Sequence, residues 1–137
     1  MAYWLVKSEP GAWSWQQQVA TGTTSWDGVR SHQATNNMKA MRLGDRAFFY
    51  HSGAAREIVG VVEVTGEFHL DPKDPSGRFG MVDVRSVGEV PTPIALAAIK
   101  ADPRLAHLAL VRQSRLSVMP VDDDSWQILC AMGGLAA

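Results

Sequence analysis

Arg46-Ala47-Phe48-Phe49-Tyr50-His51-Ser52-Gly53-Ala54-Ala55-Arg56-Glu57-Ile58-Val59-Gly60-Val61-Val62-Glu63-Val64 decides the fold class. Both ends of this stretch are crowded with aromatic and β-branched side chains, which lose χ1 freedom in a helix but pack well on a pleated sheet. Residues 46–51 and 58–68 are therefore expected to be strands, joined by the polar link 52–57. Gly60, inside the second run, predicts a bulge or a close approach by another group.

Toward the N-terminus, residues 33–41 set Met38 and Met41 against Asn36, Asn37, Lys39 and Arg42. That pattern predicts a short helix with the methionines inward, closed by Gly44. Residues 23–28 read as loop. Ser14-Trp15-Gln16-Gln17 fits a capping box opening a short helix to about Ala20. Residues 2–6 read as a buried strand that ends at Pro10. Toward the C-terminus, Asp71-Pro72-Lys73-Asp74-Pro75-Ser76-Gly77 is a surface loop by its turn residues, and residues 79–87 form a third long strand. Pro93, with Thr92 as cap, predicts a helix through Lys100, broken at Asp102-Pro103. Residues 108–115 are expected to be irregular or a single helical turn, and 116–121 a strand. Asp122, Asp123 and Asp124 suit the positive end of a last helix whose Trp126, Leu129 and Cys130 face inward. A frayed tail is expected from about residue 133. This order predicts one α+β domain over residues 1–137 with a curled, mainly antiparallel sheet.

Composition narrows the function. With 46% hydrophobic and 20% charged residues, the chain has an ordinary globular balance. One cysteine excludes an internal disulfide framework and a multi-cysteine zinc site. The start, Met1-Ala2-Tyr3-Trp4-Leu5-Val6-Lys7, is too soon interrupted by charge for a signal peptide or a membrane span, so a cytoplasmic protein is expected. A monomer is the expected state. Net charge is −1, so no global field draws the chain onto a polyanion. The distribution is uneven: residues 1–56 carry six Lys/Arg against three acids, and residues 57–103 carry four against eight.

Four clusters stand outside ordinary core chemistry: Lys7-Ser8-Glu9-Pro10, Trp26-Asp27-Gly28-Val29-Arg30, Phe49-Tyr50-His51-Ser52 and Val111-Arg112-Gln113-Ser114-Arg115-Leu116-Ser117. An indole beside a Gly turn and an Arg makes a flat apolar wall with a charge-assisted donor at its rim. Such a wall suits a planar, polar-edged ligand such as a nucleobase.

The spelling of these clusters, with Tyr-Trp-Leu-Val-Lys-Ser-Glu-Pro at the start, Ile-Val-Gly-Val and Met-Val-Asp-Val-Arg, resembles the EVE domain family of the PUA-like superfamily, alongside the YTH readers of methylated RNA. The resemblance runs from Tyr3 to about Leu129. It implies a compact β-barrel with peripheral helices that binds a modified base, such as a modified cytosine in DNA, without a cofactor. After Val29-Arg30 the family pattern has Asn-Tyr where this chain has Ser31-His32, a change expected at the pocket edge. The 71–77 loop also looks short for the family.

Each residue has a plainer reading beside the functional one. Trp26 taken alone is a core residue, but the Asp27-Gly28 turn argues for a pocket wall whose loss removes ligand preference at little cost in stability. Lys7, Ser8 and Glu9 are either strand-end solvation or edge readers, with Glu9 an acceptor for an exocyclic amine. Arg30, Arg112 and Arg115 are surface charges or rim cations, and Gln113 and Ser114 rim donors and acceptors. Tyr50 is a second face for the base. His51 and Ser52 are structural, pocket-lining, or the base and nucleophile of a small hydrolase, although no nucleophile elbow accompanies them. Trp13 or Trp15 would close a pocket from above. Asp83 and Arg85 are expected to pair as scaffold, and no histidine has metal-ligand spacing. A base-binding module leads, with the hydrolase and a protein-interaction domain with a vestigial pocket as alternatives.

Overall fold

A computed structural model describes residues 1–135. Strands β1 (Tyr3–Ser8), β2 (Thr23–Trp26), β3 (Arg46–His51), β4 (Glu57–Leu70), β5 (Gly80–Ala95) and β6 (Val118–Val121) form one sheet in the order β2-β5-β4-β3-β1-β6. The β1–β3 pair is parallel and every other pair antiparallel. A parallel neighbour needs a crossover, here residues 9–45 with helices α1 (Trp15–Thr21) and α2 (His32–Ala40). Helices α3 (Leu96–Ala101), α4 (Ala109–Arg112) and α5 (Asp123–Gly133) follow β5 and β6, with a 3-10 turn at Pro103–Leu105.

The fold is thus α+β with short peripheral helices, as expected, but the ladder is open. No pairing joins β2 to β6 among the described residues, so the hydrogen-bonded sheet does not close on itself and the curled β-barrel that the family resemblance implies is not established by the pairing. Asn37 of α2, expected to point outward, instead donates to Val118 O at 2.7 Å and covers part of the β6 edge.

β1 and β3 are buried along nearly their whole length, because helices pack on both faces and every second position no longer meets water. On one face Trp126 of α5 stacks on Phe48 and Tyr3. On the other Phe49 meets Trp15 and Trp26 edge-on. Gly60 belongs to this second layer: a Cβ there would lie 2.5 Å from the Trp15 ring, the close approach its place in the strand predicts. The capping box also forms, Ser14 Oγ accepting from Gln17 N at 3.1 Å and Gln17 Oε1 from Ser14 N at 2.8 Å.

Four expectations change. Residues 23–26 are an edge strand rather than loop, held by β5 and by Ser25 Oγ donating to Asp83 at 2.8 Å. β5 continues through Pro91 and Pro93 to Ala95 where a helix start is expected, because Ile94 and Ala95 pair with Ile58 and Glu57. The prolines are tolerated in the bulge between Glu89 and Ile94, where an unmade N–H bond costs nothing. The last helix runs to Gly133 and ends on Gly134 in the left-handed region, with Leu135 N bonded to Cys130 O, so these residues are capped rather than frayed. The rest of the expected tail, 136–137, lies outside the described residues. Asp83 and Arg85, expected to pair, take Ser25 and Glu63 instead.

Candidate functional site

β1 ends at Ser8, and the chain turns there because Glu9 O accepts from both Ala12 N and Trp13 N at 2.9 Å. Ser8 Oγ donates to Trp13 O, so the hydroxyl is committed to folding Trp13 back over the strand end. Trp13 Nε1 donates to the buried Gln18 at 2.9 Å, which fixes the indole. Opposite it, β2 ends at Trp26 and turns at Gly28, whose φ of 76° is the left-handed conformation that glycine tolerates best. The two turns border a cavity of about 520 Å³ lined by Lys7, Ser8, Glu9, Trp13, Trp26 and Arg30, with Thr24, Ser25, Ser117 and the 27–29 turn between them.

The cavity carries charges of both signs on aromatic walls. Lys7 Nζ donates to Ser114 O at 3.0 Å, and burial pushes its pKa below the ordinary lysine value. The Glu9 carboxylate lies against Gly53, where a Cβ would come within 2.6 Å of Oε2. Asp27 faces Lys73 at 3.7 Å. Arg30 meets Asp71 at 3.2 Å and lies over the Phe79 ring.

Of the residues expected at the site, Lys7, Ser8, Glu9, Trp26 and Arg30 line this cavity. Tyr50, His51 and Ser52 do not. Tyr50 is buried beneath Lys7, whose ammonium sits 5.6 Å from its ring. His51 is buried and its Nε2 accepts from Trp15 N at 2.9 Å, while Ser52 N donates to Ser8 O. The imidazole nitrogen that a general base would use is already occupied, and no bond joins it to the Ser52 hydroxyl among the described residues. The hydrolase pair is therefore not assembled. Arg112, Gln113, Ser114 and Arg115 are exposed outside the lining. Arg112 is turned to Ala106 O, and Ser114 contributes only the carbonyl that holds Lys7.

Trp26 is both wall and core. It is 7% exposed and meets the Phe49 ring at right angles, so removing it costs stability as well, contrary to the expectation from sequence. Ser31 and His32 are not at the pocket edge: Ser31 caps α2, and the His32 ring packs on Phe79. Thr24 and Ser25 were missed because isolated hydroxyl residues carry no signal until a fold gathers them, and Ser117 is the one residue of the 111–117 cluster in the lining.

Size does not single out this cavity, since another of about 500 Å³ lies beside Tyr3, Pro120 and Asp122. Convergent charges and hydroxyls on an aromatic wall do. No group of three or more metal-ligating side chains occurs among the described residues, and no described helix is long and apolar enough to cross a membrane.

The EVE domain model matches residues 2–132. The solution structure of a Rhodopseudomonas palustris protein is 54% identical with a TM-score of 0.94, covering 100% of this chain and 96% of that one. Human thymocyte nuclear protein 1 is 30% identical over 165 residues, 96% of this chain and 73% of that protein. Its crystal structure with DNA containing 5-methylcytosine matches with a TM-score of 0.89 at 29% identity, covering 100% of both chains. A YTH domain from Zygosaccharomyces rouxii shares the fold alone, at 13% identity and a TM-score of 0.60, covering 96% of this chain and 86% of that one.

Proposed function

The chain belongs to the EVE domain family, and from that membership we propose that it is a binding module that takes a modified nucleobase, first of all a modified cytosine of DNA, into the Trp26 cavity without reacting with it. The observation that carries this reading is the convergence of Trp13, Trp26, Lys7, Glu9 and Arg30 on one cavity. The human relative solved with 5-methylcytosine DNA supports it.

In this reading Trp26 and Trp13 supply apolar surface for the base. Glu9, acceptor-only when ionised, takes the exocyclic amine of cytosine. Lys7 sits where a sugar or phosphate enters, and Arg30 borders the wall beside it. Extruding a base from a duplex costs a few kcal/mol, so single-stranded or mismatched targets bind more tightly than paired ones. One methyl group in an apolar pocket is worth only about 1–3 kcal/mol, so discrimination is graded.

Titration with matched oligonucleotides carrying cytosine or 5-methylcytosine, single-stranded and paired, at fixed salt tests the proposal. Tighter binding of the methylated strand is expected, with single strands ahead of duplex. Equal affinity for methylated and plain strands would sink the modified-base reading.

A further inference from the structure

Arg30 reaches the cavity already engaged. Its Nη2 meets Asp71 Oδ2 at 3.2 Å, its Nη1 donates to Val29 O at 3.0 Å, and its guanidinium lies 5.5 Å from the Phe79 centroid. The two partners of the ion pair differ sharply in exposure, 44% for the Arg30 side chain and 1% for that of Asp71. Asp71 is fixed from its own side, with Oδ1 accepting from Lys73 N at 2.8 Å and its backbone N–H donating to Phe79 O. Lys73 then faces Asp27 at 3.7 Å. The 27–30 segment is thus tied at both ends to the loop between β4 and β5. Asp74 stiffens that loop by accepting from the backbone of Ser76, Arg78 and Phe79.

A surface arginine placed to hold phosphate would keep its donors free. This one spends two of them on a buried carboxylate and on its own chain, an arrangement that fixes backbone shape more than it attracts a polyanion. We propose that Asp71 is a positioning residue for the cavity: through Arg30 it holds the Asp27–Arg30 wall in the shape that accepts a base, although none of the described residues of its own loop lines the cavity. The inference rests on the base-binding reading and names the part of the molecule that sets its affinity.

Asp71→Asn separates positioning from simple electrostatics because the two give opposite signs. Removing a negative charge beside the cavity would by itself tighten binding to DNA and steepen its salt dependence. Loss of positioning weakens binding, with the salt dependence little changed. We expect affinity for a single-stranded 5-methylcytosine oligonucleotide to fall about tenfold, and the amide signals of Gly28 and Val29 to shift or broaden while those of β1 and β3 stay in place. Phe79→Leu, which removes the ring under Arg30 and leaves both charges, should produce the same pattern to a smaller degree. Unchanged or tighter binding by a folded Asp71→Asn protein, or unperturbed Gly28 and Val29 signals, overturns the proposal. Should the wild-type protein bind neither oligonucleotide, the base-binding reading fails, and the amide signals still decide whether Asp71 holds the wall.

Discussion

Trp26 and Trp126 are nearly equally buried, at 7% and 5% exposed, yet they occupy opposite kinds of surroundings. Trp126 stacks on Phe48 at 3.9 Å and on Tyr3 at 4.2 Å, with interplanar angles of 24° and 11°. Both indoles border a cavity, about 520 Å³ at Trp26 and about 290 Å³ at Trp126, but among the described residues Trp26 has one ring neighbour, Phe49, at 5.4 Å and 89°. Burial alone does not tell a structural indole from one available to a ligand. What covers its faces does. Stacked partners cover the ring of Trp126, whereas no stacked ring covers Trp26 among the described residues.

The largest effect that sharpens the contrast is expected at Trp126. Trp126→Ala removes a buried indole and two stacked contacts, so it should cost about 3–5 kcal/mol of unfolding free energy in a urea titration. The affinity of the molecules that remain folded should be unchanged. A parallel loss of oligonucleotide affinity would break the distinction between the two sheet faces.

Trp26→Leu keeps an apolar side chain against Phe49 but removes the flat wall. Base stacking is worth about 1–3 kcal/mol per base, so affinity for the methylated single strand should fall by that amount. The stability loss should be smaller than for Trp126→Ala. If the ranking of the two variants were the same for stability and for affinity, Trp26 would be core and nothing more.

The strands of this contrast are legible in the sequence, because alternation and β-branching are local properties. Residues 46–51 form β3 as the sequence predicts, and the capping box at Ser14 forms as spelled. β2 was not legible: Thr23–Trp26 is strand only because Arg85, Val84, Asp83 and Val82 lie alongside. Pro93, near the end of β5, carries a local helix-start signal that the ladder to β4 overrides. Of the residues singled out for their aromatic, charged and turn chemistry, Trp26, Lys7, Ser8, Glu9 and Arg30 meet at one cavity. Residues 112–115 are exposed outside that lining, a placement set by the path after α4 that charges embedded in an apolar run do not foretell. The role of Asp71 was hidden by sequence distance, since its partner lies 41 residues away.

The smallest effect is a pH dependence that joins the Trp26 face to the strand beneath it. His51 Nε2 accepts from Trp15 N, which requires a neutral ring, and the His51 ring packs edge-on against Phe49, the neighbour of Trp26. Burial lowers the His51 pKa below the free value of 6.5, with the charges of Glu57 and Glu9 opposing that shift. Because the folded pKa lies below the unfolded one, the contribution of this histidine is fully present above about pH 6.5. It is lost as the pH falls through the folded pKa, where a protonated Nε2 can no longer accept the Trp15 bond. One such bond is worth about 1 kcal/mol, so the urea midpoint should be lower at pH 5 than at pH 7.5. His51→Gln, which can present an acceptor that does not titrate in this range, should flatten that part of the profile. A slope unchanged by the substitution would detach the His51–Trp15 bond from the acid response. The support beneath Trp26 would then be apolar contact alone, as it is beneath Trp126.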